Sequence, residues 1–272
     1  MIRRGQNEEY KKQIAASFDR RSHYDDDYTR HRAIQLVRFA QLKSGARVLD
    51  LATGTGIAAF AAAQDIGQHG TVVGVDISPG MLAQANKKLK SAGAKNITFL
   101  EGDVDRLDLP EESFDFVLCS SSLMWFDDIP GTLQECFRWL VPGGAVLFSC
   151  YSEFSFTLPI QIEVAASFGY QLPNCNEPLG TRVRCESLLR EAGFGKTWFK
   201  TEDLSDFIST SESKRQWPQD GIWVSPQGNP LSGLPTGHLN AMKAAYEARI
   251  DELAVDDRIR HTIEIHYVRA DK

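Results

Sequence analysis

A short run of glycines and acids in the first half of the chain has the residue types and spacing to hold a nucleotide-like ligand. Gly54 and Gly56 stand one residue apart, closing the stretch Arg47-Val48-Leu49-Asp50-Leu51-Ala52-Thr53-Gly54-Thr55-Gly56. Without a Cβ, each glycine permits φ > 0 and close approach of a ligand to the backbone. The apolar run before them and the Ala-rich segment Ile57 to Ile66 after them read as strand, tight turn and helix. The start of such a helix leaves unpaired N–H groups facing the turn. Gly54, Gly56 and Ala59 satisfy the pattern G-x-G-x-x-G/A, and Asp76 lies about twenty residues on, where a dinucleotide site places its ribose-binding acid.

That pattern admits a NAD(P)-dependent oxidoreductase, but Asp50 argues against one. A carboxylate at the mouth of the turn repels a pyrophosphate and attracts a cationic amine. S-adenosylmethionine carries an ammonium and a sulfonium and no phosphate. The two oxygens of Asp76 can accept both hydroxyls of a ribose. Asp103, following Gly102, can accept from the adenine amine, with Leu100, Val104, Ile77 and Met81 flanking the ring. Each residue alone has a plainer reading: Asp50 as a capping carboxylate, Asp76 and Asp103 as solvated strand-end acids, Met81 as core. A glycine turn and three acids at successive strand ends are harder to dismiss together.

The elements that must position these residues alternate. Thr71 to Asp76, Ile97 to Leu100, Phe114 to Cys119 and Ala145 to Tyr151 are apolar and read as buried strands. Between them lie helical patterns, one starting at Ser78-Pro79 and stopped by Gly93, another carrying Leu133, Cys136, Phe137 and Leu140 until Pro142-Gly143-Gly144 breaks it. This order predicts crossover units and a mainly parallel, doubly wound sheet. In such a sheet ligands bind beyond the carboxyl ends of the strands, where Asp50, Asp76, Asp103 and Ser120 fall. Ahead of the first strand, Ala33, Leu36, Val37 and Ala40 recur at helical spacing. The charged aromatic stretch Phe18 to Asp25 is either a solvated helix face or a lid offering His23, Tyr24, Tyr28 or His31 to a pocket. Later segments are less regular. Glu186 to Ala192 reads as a short helix, Thr197 to Leu204 as a strand, and Ser205 to Gly237 as an insertion without clear period. His238 to Leu253 is helical. Thr262 to Val268 alternates as a strand, which puts His266 on its polar face as an exposed or edge histidine.

Composition narrows the partners. The chain has 272 residues, 42% hydrophobic and 24% charged, with a formal net charge of −6. That balance disfavours a nucleic-acid partner, whose binding proteins usually show a basic face. The 5 cysteines have no metal-ligand spacing, so no metal is expected and reduced thiols are. No apolar leader or membrane-length stretch is visible, so the sequence predicts a cytoplasmic protein without a membrane span.

The stretches VLDLATGTG (48–56), VVGVDISPGMLAQA (72–85), ITFLEGDVDRLDLPEESFDFVLCS (97–120) and LVPGGAVLFS (140–149) resemble the class I S-adenosylmethionine-dependent methyltransferases. Within these they are most similar to the ubiquinone/menaquinone biosynthesis branch. The resemblance is good over about 15–150 and only in outline beyond. It implies a Rossmann-like, seven-stranded, mainly parallel sheet with an antiparallel last strand. It also implies that Ala52, Thr53 and Gly54 contact the methionine moiety, Asp76 the ribose, and Asp103 and Val104 the adenine, with Ser120 near the carboxypropyl chain or the methyl. Ala52 stands where the family's first motif glycine usually does, a variant expected to leave the loop intact. Tyr24, Asp50, Gly56, Ile77, Met81 and Gly102 complete the expected cofactor set, and S-adenosylhomocysteine would be the product.

On this reading 1–43 is a helical lid, 44–204 the cofactor-binding core, 205–255 a cap over the acceptor site and 256–272 the final strand. The reaction is an in-line methyl transfer to an O, N or C atom of a small-molecule acceptor, such as a specialised metabolite. Quinone-ring C-methylation and a non-catalytic cofactor-binding protein stand as alternatives. Candidate bases are His23, Tyr24, His31, Tyr151 and His238, each also explicable as a packing, capping or surface residue. Trp125-Phe126 and the later aromatics Phe154, Phe156, Phe168, Tyr170, Trp217 and Trp223 suit an apolar pocket for a ring-bearing acceptor. They suit an ordinary core as well. Oligomeric state is not legible.

Overall fold

A computed structural model of the chain describes residues 7–21, 23–218 and 223–272. The start of the expected lid (1–6), Ser22 of the aromatic stretch and 219–222 of the expected cap lie outside the described residues.

Two helices precede the first strand, α1 (Glu8–Asp19) and α2 (Asp27–Ala40). Asp26 caps α2, its carboxylate accepting the Thr29 N–H at 2.7 Å. Alternation then begins with β1 (Arg47–Leu51), α3 (Ile57–Ile66), β2 (Thr71–Asp76), α4 (Pro79–Ala92) and β3 (Ile97–Glu101). It continues with β4 (Phe114–Ser120), α5 (Ile129–Trp139) and β5 (Leu140–Tyr151). The cap signals read from the sequence do their work at α4. Ser78 Oγ accepts the Met81 N–H at 3.1 Å, and Gly93 closes the helix in the left-handed region at φ 63°. The chain proceeds through α6 (Leu158–Ser167), α7 (Arg182–Glu191), β6 (Thr197–Asp203), β7 (Asp206–Ser209) and α8 (Thr210–Lys214). It ends with α9 (Thr236–Leu253), β8 (Arg258–His261) and β9 (Glu264–Asp271).

The main sheet runs β3-β2-β1-β4-β5-β9-β6, seven strands in all. From β3 to β5 neighbours are parallel, with Asp50 opposite Gly74 and Leu118, and Asp76 opposite Glu101. β9 runs against β5: the Gly143 N–H donates to Lys272 O at 3.2 Å, and the Ser152 N–H to Glu264 O at 3.0 Å. The expected doubly wound sheet with an antiparallel last strand is therefore present. The chain winds outward through β1, β2 and β3, then returns to place β4 on the other side of β1. That reversal opens a crevice beyond the carboxyl ends of β1 and β4.

The chain folds as two compact units, one of 1–150, 182–200 and 267–272, the other of 151–181 and 201–266. In the second, Trp217, Trp223, Met242, Tyr246 and Ile250 form a core with Leu158, Val164 and Ala165 of α6. The buried Tyr246 hydroxyl donates to Ser213 O at 2.8 Å, as a buried phenol must. β7 and β8 pair there as a separate antiparallel ribbon. Residues 151–181, grouped with the core on sequence grounds, pack in this second unit, and the aperiodic stretch from Ser205 contains β7 and α8. Those elements are too short to show a period.

Two local expectations need correction. Pro142-Gly143-Gly144 does not separate helix from strand: α5 already ends at Trp139, and β5 takes up the tripeptide with a register shift against β4. His266 is not exposed. It is 8% accessible, its Nδ1 lies 2.9 Å from Thr201 Oγ1, and burial lowers its pKa. Alternation marked one face of β9 as polar, but β9 is an inner strand and its residues from Ile265 to Val268 are all buried. Among the described residues no helix is long and apolar enough to cross a membrane.

The turn after β1 has an asymmetry in its strain. Ala52 sits at φ 51°, Gly54 at 56° and Gly56 at 83°. A Cβ in the left-handed region costs about 1–2 kcal/mol, and glycine's extra freedom in the unfolded chain returns about 0.4–1 kcal/mol of that. Ala52→Gly should therefore stabilise the protein by roughly 0.5–1 kcal/mol. Gly56→Ala should destabilise it by about 1–3 kcal/mol, because its Cβ would also stand 2.7 Å from the Phe99 ring. Urea denaturation of the two variants checks the opposite signs; equal signs would remove the strain assignment.

Candidate functional site

Within the first unit a cleft of about 700 Å³ opens beyond the strand ends. Its polar part is formed by Ala52, Gly54, Asp76, Ser78 and Asp103, and its apolar part by Ile77, Met81 and Val104 with the aromatic rings of Phe18, Tyr24, Trp125 and Phe126. Of the expected cofactor residues, this brings together Tyr24, Ala52, Gly54, Asp76, Ile77, Met81, Asp103 and Val104. Asp50, Thr53, Gly56, Gly102 and Ser120 are not part of its wall. Leu100, expected beside a ring, is absent from the wall and 45% exposed.

Asp76 is the organising side chain. One carboxylate oxygen accepts the Gly54 N–H at 2.7 Å and the other accepts the Ser78 N–H at 2.8 Å. Burial raises its pKa, with the charge of Asp19 adding to the effect and the backbone donors opposing it. A carboxylate has about four acceptor sites, so these backbone bonds orient Asp76 and leave capacity facing the cleft. At Gly54 a Cβ would make only ordinary contact with the Tyr24 ring, at 3.8 Å, and it is the φ of 56° that calls for glycine.

Asp50 lies beneath the turn instead of at its mouth. It is 1% exposed, accepts the Thr53 hydroxyl at 2.6 Å, and its other oxygen has no hydrogen-bond partner. Burial, reinforced by the charge of Asp76, pushes its pKa up to about 7. The sequence showed the carboxylate next to the glycines but not which side of the turn it took. Strand alternation and the close pairing with β2 and β4 turn it inward.

The segments before β1 are stitched onto this site. Asp19, at the end of α1, accepts the Ser78 hydroxyl at 2.6 Å and the Gly80 N–H at 2.9 Å, doubling the cap of α4. Asp25 accepts the Thr55 hydroxyl and pairs with Lys88 Nζ at 2.6 Å. Burial would raise the Asp25 pKa, but Lys88 and Thr55 outweigh it and hold it low. Lys11 of α1, also in the cleft wall, contacts Asp103 at 2.7 Å, Asp105 at 2.8 Å and Asp127 at 3.3 Å. Sequence reasoning passed over Lys11, Asp25 and Asp105, since a lysine or aspartate in a charged stretch reads as solvated and only its distant partner shows otherwise.

The five candidate bases are dispersed. Tyr24 lines the cleft, edge-on to Phe18 at 5.9 Å between ring centroids. His23 is exposed and His31 half-buried on α2. Tyr151 and His238 belong to the second unit. There Tyr151 packs against Phe156, and His238 stands between the rings of Phe168 and Tyr170. Trp217 and Trp223 are core of that unit, while Phe154 is exposed.

A crevice at the reversal of a doubly wound sheet, walled by a glycine turn and two strand-end carboxylates, defines a nucleoside-binding α/β protein. The sequence profile of a methyltransferase domain family matches residues 48–144. The chain is 34% identical over 204 residues to aklanonic acid methyltransferase DauC of Streptomyces sp. (strain C5), covering 73% of this chain and 90% of that protein. It is 37% identical over 211 residues to demethylmenaquinone methyltransferase of Lactococcus lactis subsp. lactis (strain IL1403), covering 71% and 82%. Its fold matches YcgJ from Bacillus subtilis with a TM-score of 0.59 at 18% identity, over 89% of this chain and 98% of that one. It also matches Haemonchus contortus phosphoethanolamine N-methyltransferase 2, crystallised with S-adenosylhomocysteine, with a TM-score of 0.55 at 21% identity, over 89% and 52%. The chain belongs to the S-adenosylmethionine-dependent methyltransferases. Its cofactor is S-adenosylmethionine, and the oxidoreductase alternative falls away. The residues present fit that cofactor: Asp76 retains acceptors for a diol, the turn brings the backbone of Gly54 to the wall, and the lysine in the wall, Lys11, is already matched by three carboxylates.

The buried Asp50 has a measurable consequence in the protein without ligand. Its folded pKa lies above the unfolded value, so the native state binds the extra proton between about pH 4 and 7. Stability from this group is full below about pH 4 and is lost as pH rises toward 7. Asp50→Asn should therefore gain stability relative to the parent between pH 5 and pH 7.5, measured by urea denaturation at both. A pH-independent difference would mean that Asp50 ionises normally.

Proposed function

We propose that this methyltransferase acts on a small, ring-bearing, mostly apolar acceptor of the specialised-metabolite type, at an O, N or C atom. The observation that carries the reading is the aromatic part of the cleft, where Phe18, Tyr24, Trp125 and Phe126 adjoin the polar wall around Asp76. Aromatic walls with few polar groups favour flat apolar ligands. The similarity to a protein named for aklanonic acid, across nine tenths of its length, supports the same class. Quinone-ring C-methylation is the second reading, favoured by the 37% identity to a demethylmenaquinone methyltransferase. The five cysteines, without metal-ligand spacing in the sequence, support a reducing, cytoplasmic setting.

In this proposal Asp76 holds the ribose hydroxyls, Asp103 and Val104 receive the adenine, and Ile77 and Met81 pack on its faces. Ala52 and Gly54 cradle the amino-acid end, with Thr53 and Gly56 shaping the turn behind them and Asp50 beneath, while Tyr24 borders the site and Gly102 and Ser120 lie behind its wall. When bound, S-adenosylmethionine supplies a methyl group activated by a sulfonium. The protein's part is to align the acceptor with that methyl and exclude water. Tyr24 is the candidate placed to meet an acceptor proton, and the chemistry does not require a base.

Asp76→Ala should weaken S-adenosylmethionine binding by about 1.5–3 kcal/mol, the usual value of hydrogen bonds to a charged group. Isothermal titration checks this, and an unchanged affinity would remove the ribose assignment. For the acceptor, methyl-labelled cofactor is incubated with polycyclic hydroxyaromatics, reduced quinones and small amines. Label in the hydroxyaromatics is expected. Label confined to reduced quinones selects the second reading; label in the amines alone overturns both. Cofactor binding with transfer to none of them points to a non-catalytic binder.

A further inference from the structure

Lys11 sits at the centre of an acidic cluster that is larger than the cofactor requires. Its ammonium lies 2.7 Å from Asp103, 2.8 Å from Asp105 and 3.3 Å from Asp127. All four side chains are largely shielded, between 13% and 22% exposed. An ammonium has three donors, and three carboxylates surround it. The remaining geometry is equally committed. Asp103 takes the Asp105 N–H on its other oxygen at 3.1 Å. Asp105 accepts the Thr132 hydroxyl at 3.2 Å, and Asn7 donates to Asp127 at 3.0 Å. Arg106 also approaches Asp103, at 3.4 Å, but it is 53% exposed and shared with Glu8. An exposed, shared guanidinium is a weak substitute for a shielded ammonium.

We infer that Lys11 is a positioning residue that sets purine selectivity by holding the Asp103 carboxylate aimed into the cleft. The inference rests on the proposed role of Asp103 toward adenine. An ionised carboxylate only accepts hydrogen bonds, so it welcomes the amino group at purine C6 and repels an oxo group there. Three shielded carboxylates without Lys11 would repel one another. That repulsion, with the loss of its anchor, frees Asp103 to turn toward Arg106. A carboxylate turned away from the cleft no longer meets purine C6, which erodes the preference for amino over oxo. The anchor comes from α1, ahead of the sheet whose strand ends carry Asp76 and Asp103, so the first helix takes part in reading the base.

The test compares binding of S-adenosylhomocysteine with its C6-oxo analogue, in which hypoxanthine replaces adenine, by titration calorimetry on the full chain. The parent should prefer the amino form by about a hundredfold. Lys11→Met should lower that preference about tenfold, and Lys11→Arg should restore most of it; should Lys11→Met not fold, Lys11→Gln carries the same comparison. A Lys11 variant that loses affinity for both ligands equally marks Lys11 as a packing residue and overturns the inference. Asp103→Asn separates the two claims, since an amide can donate to an oxo group and should abolish the preference. If Asp103→Asn retains it, the adenine role of Asp103 is wrong. If Asp103→Asn abolishes it while Lys11→Met keeps it whole, only the role of Lys11 is wrong.

Discussion

One carboxylate ties the cofactor half of this protein together. Asp76 closes β2 and accepts backbone N–H groups from both Gly54 and Ser78. The first bond fastens the turn after β1, and the second fixes the entry to α4. Parallel strands make this possible, because parallel register brings the ends of β1, β2 and β3 to the same edge. A turn with Ala52, Gly54 and Gly56 all at positive φ has no helix or sheet ladder of its own to hold it. The Asp76 carboxylate, receiving the Gly54 N–H, holds it together with the Thr53 N–H bond to Val75 O. In the proposed function the same two oxygens also serve the ligand.

Around that centre the acidic residues face inward more than the net charge of −6 suggests. Asp19 caps α4, Asp25 joins Thr55 to Lys88, and Asp103, Asp105 and Asp127 converge on Lys11. Half-buried pairs of this kind are worth more than surface ones, since solvent screens them less. They fasten α1 and the segment after it, where Tyr10 is the one fully buried residue described between Glu8 and Asp26. Asp50 is the exception. It is buried with few donors, the Thr53 hydroxyl chief among them, a costly arrangement for a charge, and its raised pKa expresses that cost.

Much of this was legible because it depends on local rules. The apolar runs of β1, β2 and β4, the Ser78-Pro79 start and the Gly93 stop of α4 are recognised by period and capping chemistry. The glycine turn and the strand-end acids follow from spacing along the chain. His266 misled because alternation reports a polar residue, while its burial depends on β6 lying beyond β9. Ser205 to Gly237 reads as an insertion without period because the core it joins links α6 to α9 across a long stretch of sequence. Neither helix announces the other.

The sequence by itself determined the fold class, the family and the nature of the methyl donor. Those properties reside in contiguous residues whose backbone preferences and hydrogen-bonding groups are local. Tertiary structure decided which side of the turn Asp50 occupies, that Lys11 answers three carboxylates, and which aromatics line a cleft instead of a core. Each of these depends on contacts between residues far apart in the chain. The energy of such a contact is set by distance and burial, and neither is written in the order of the amino acids.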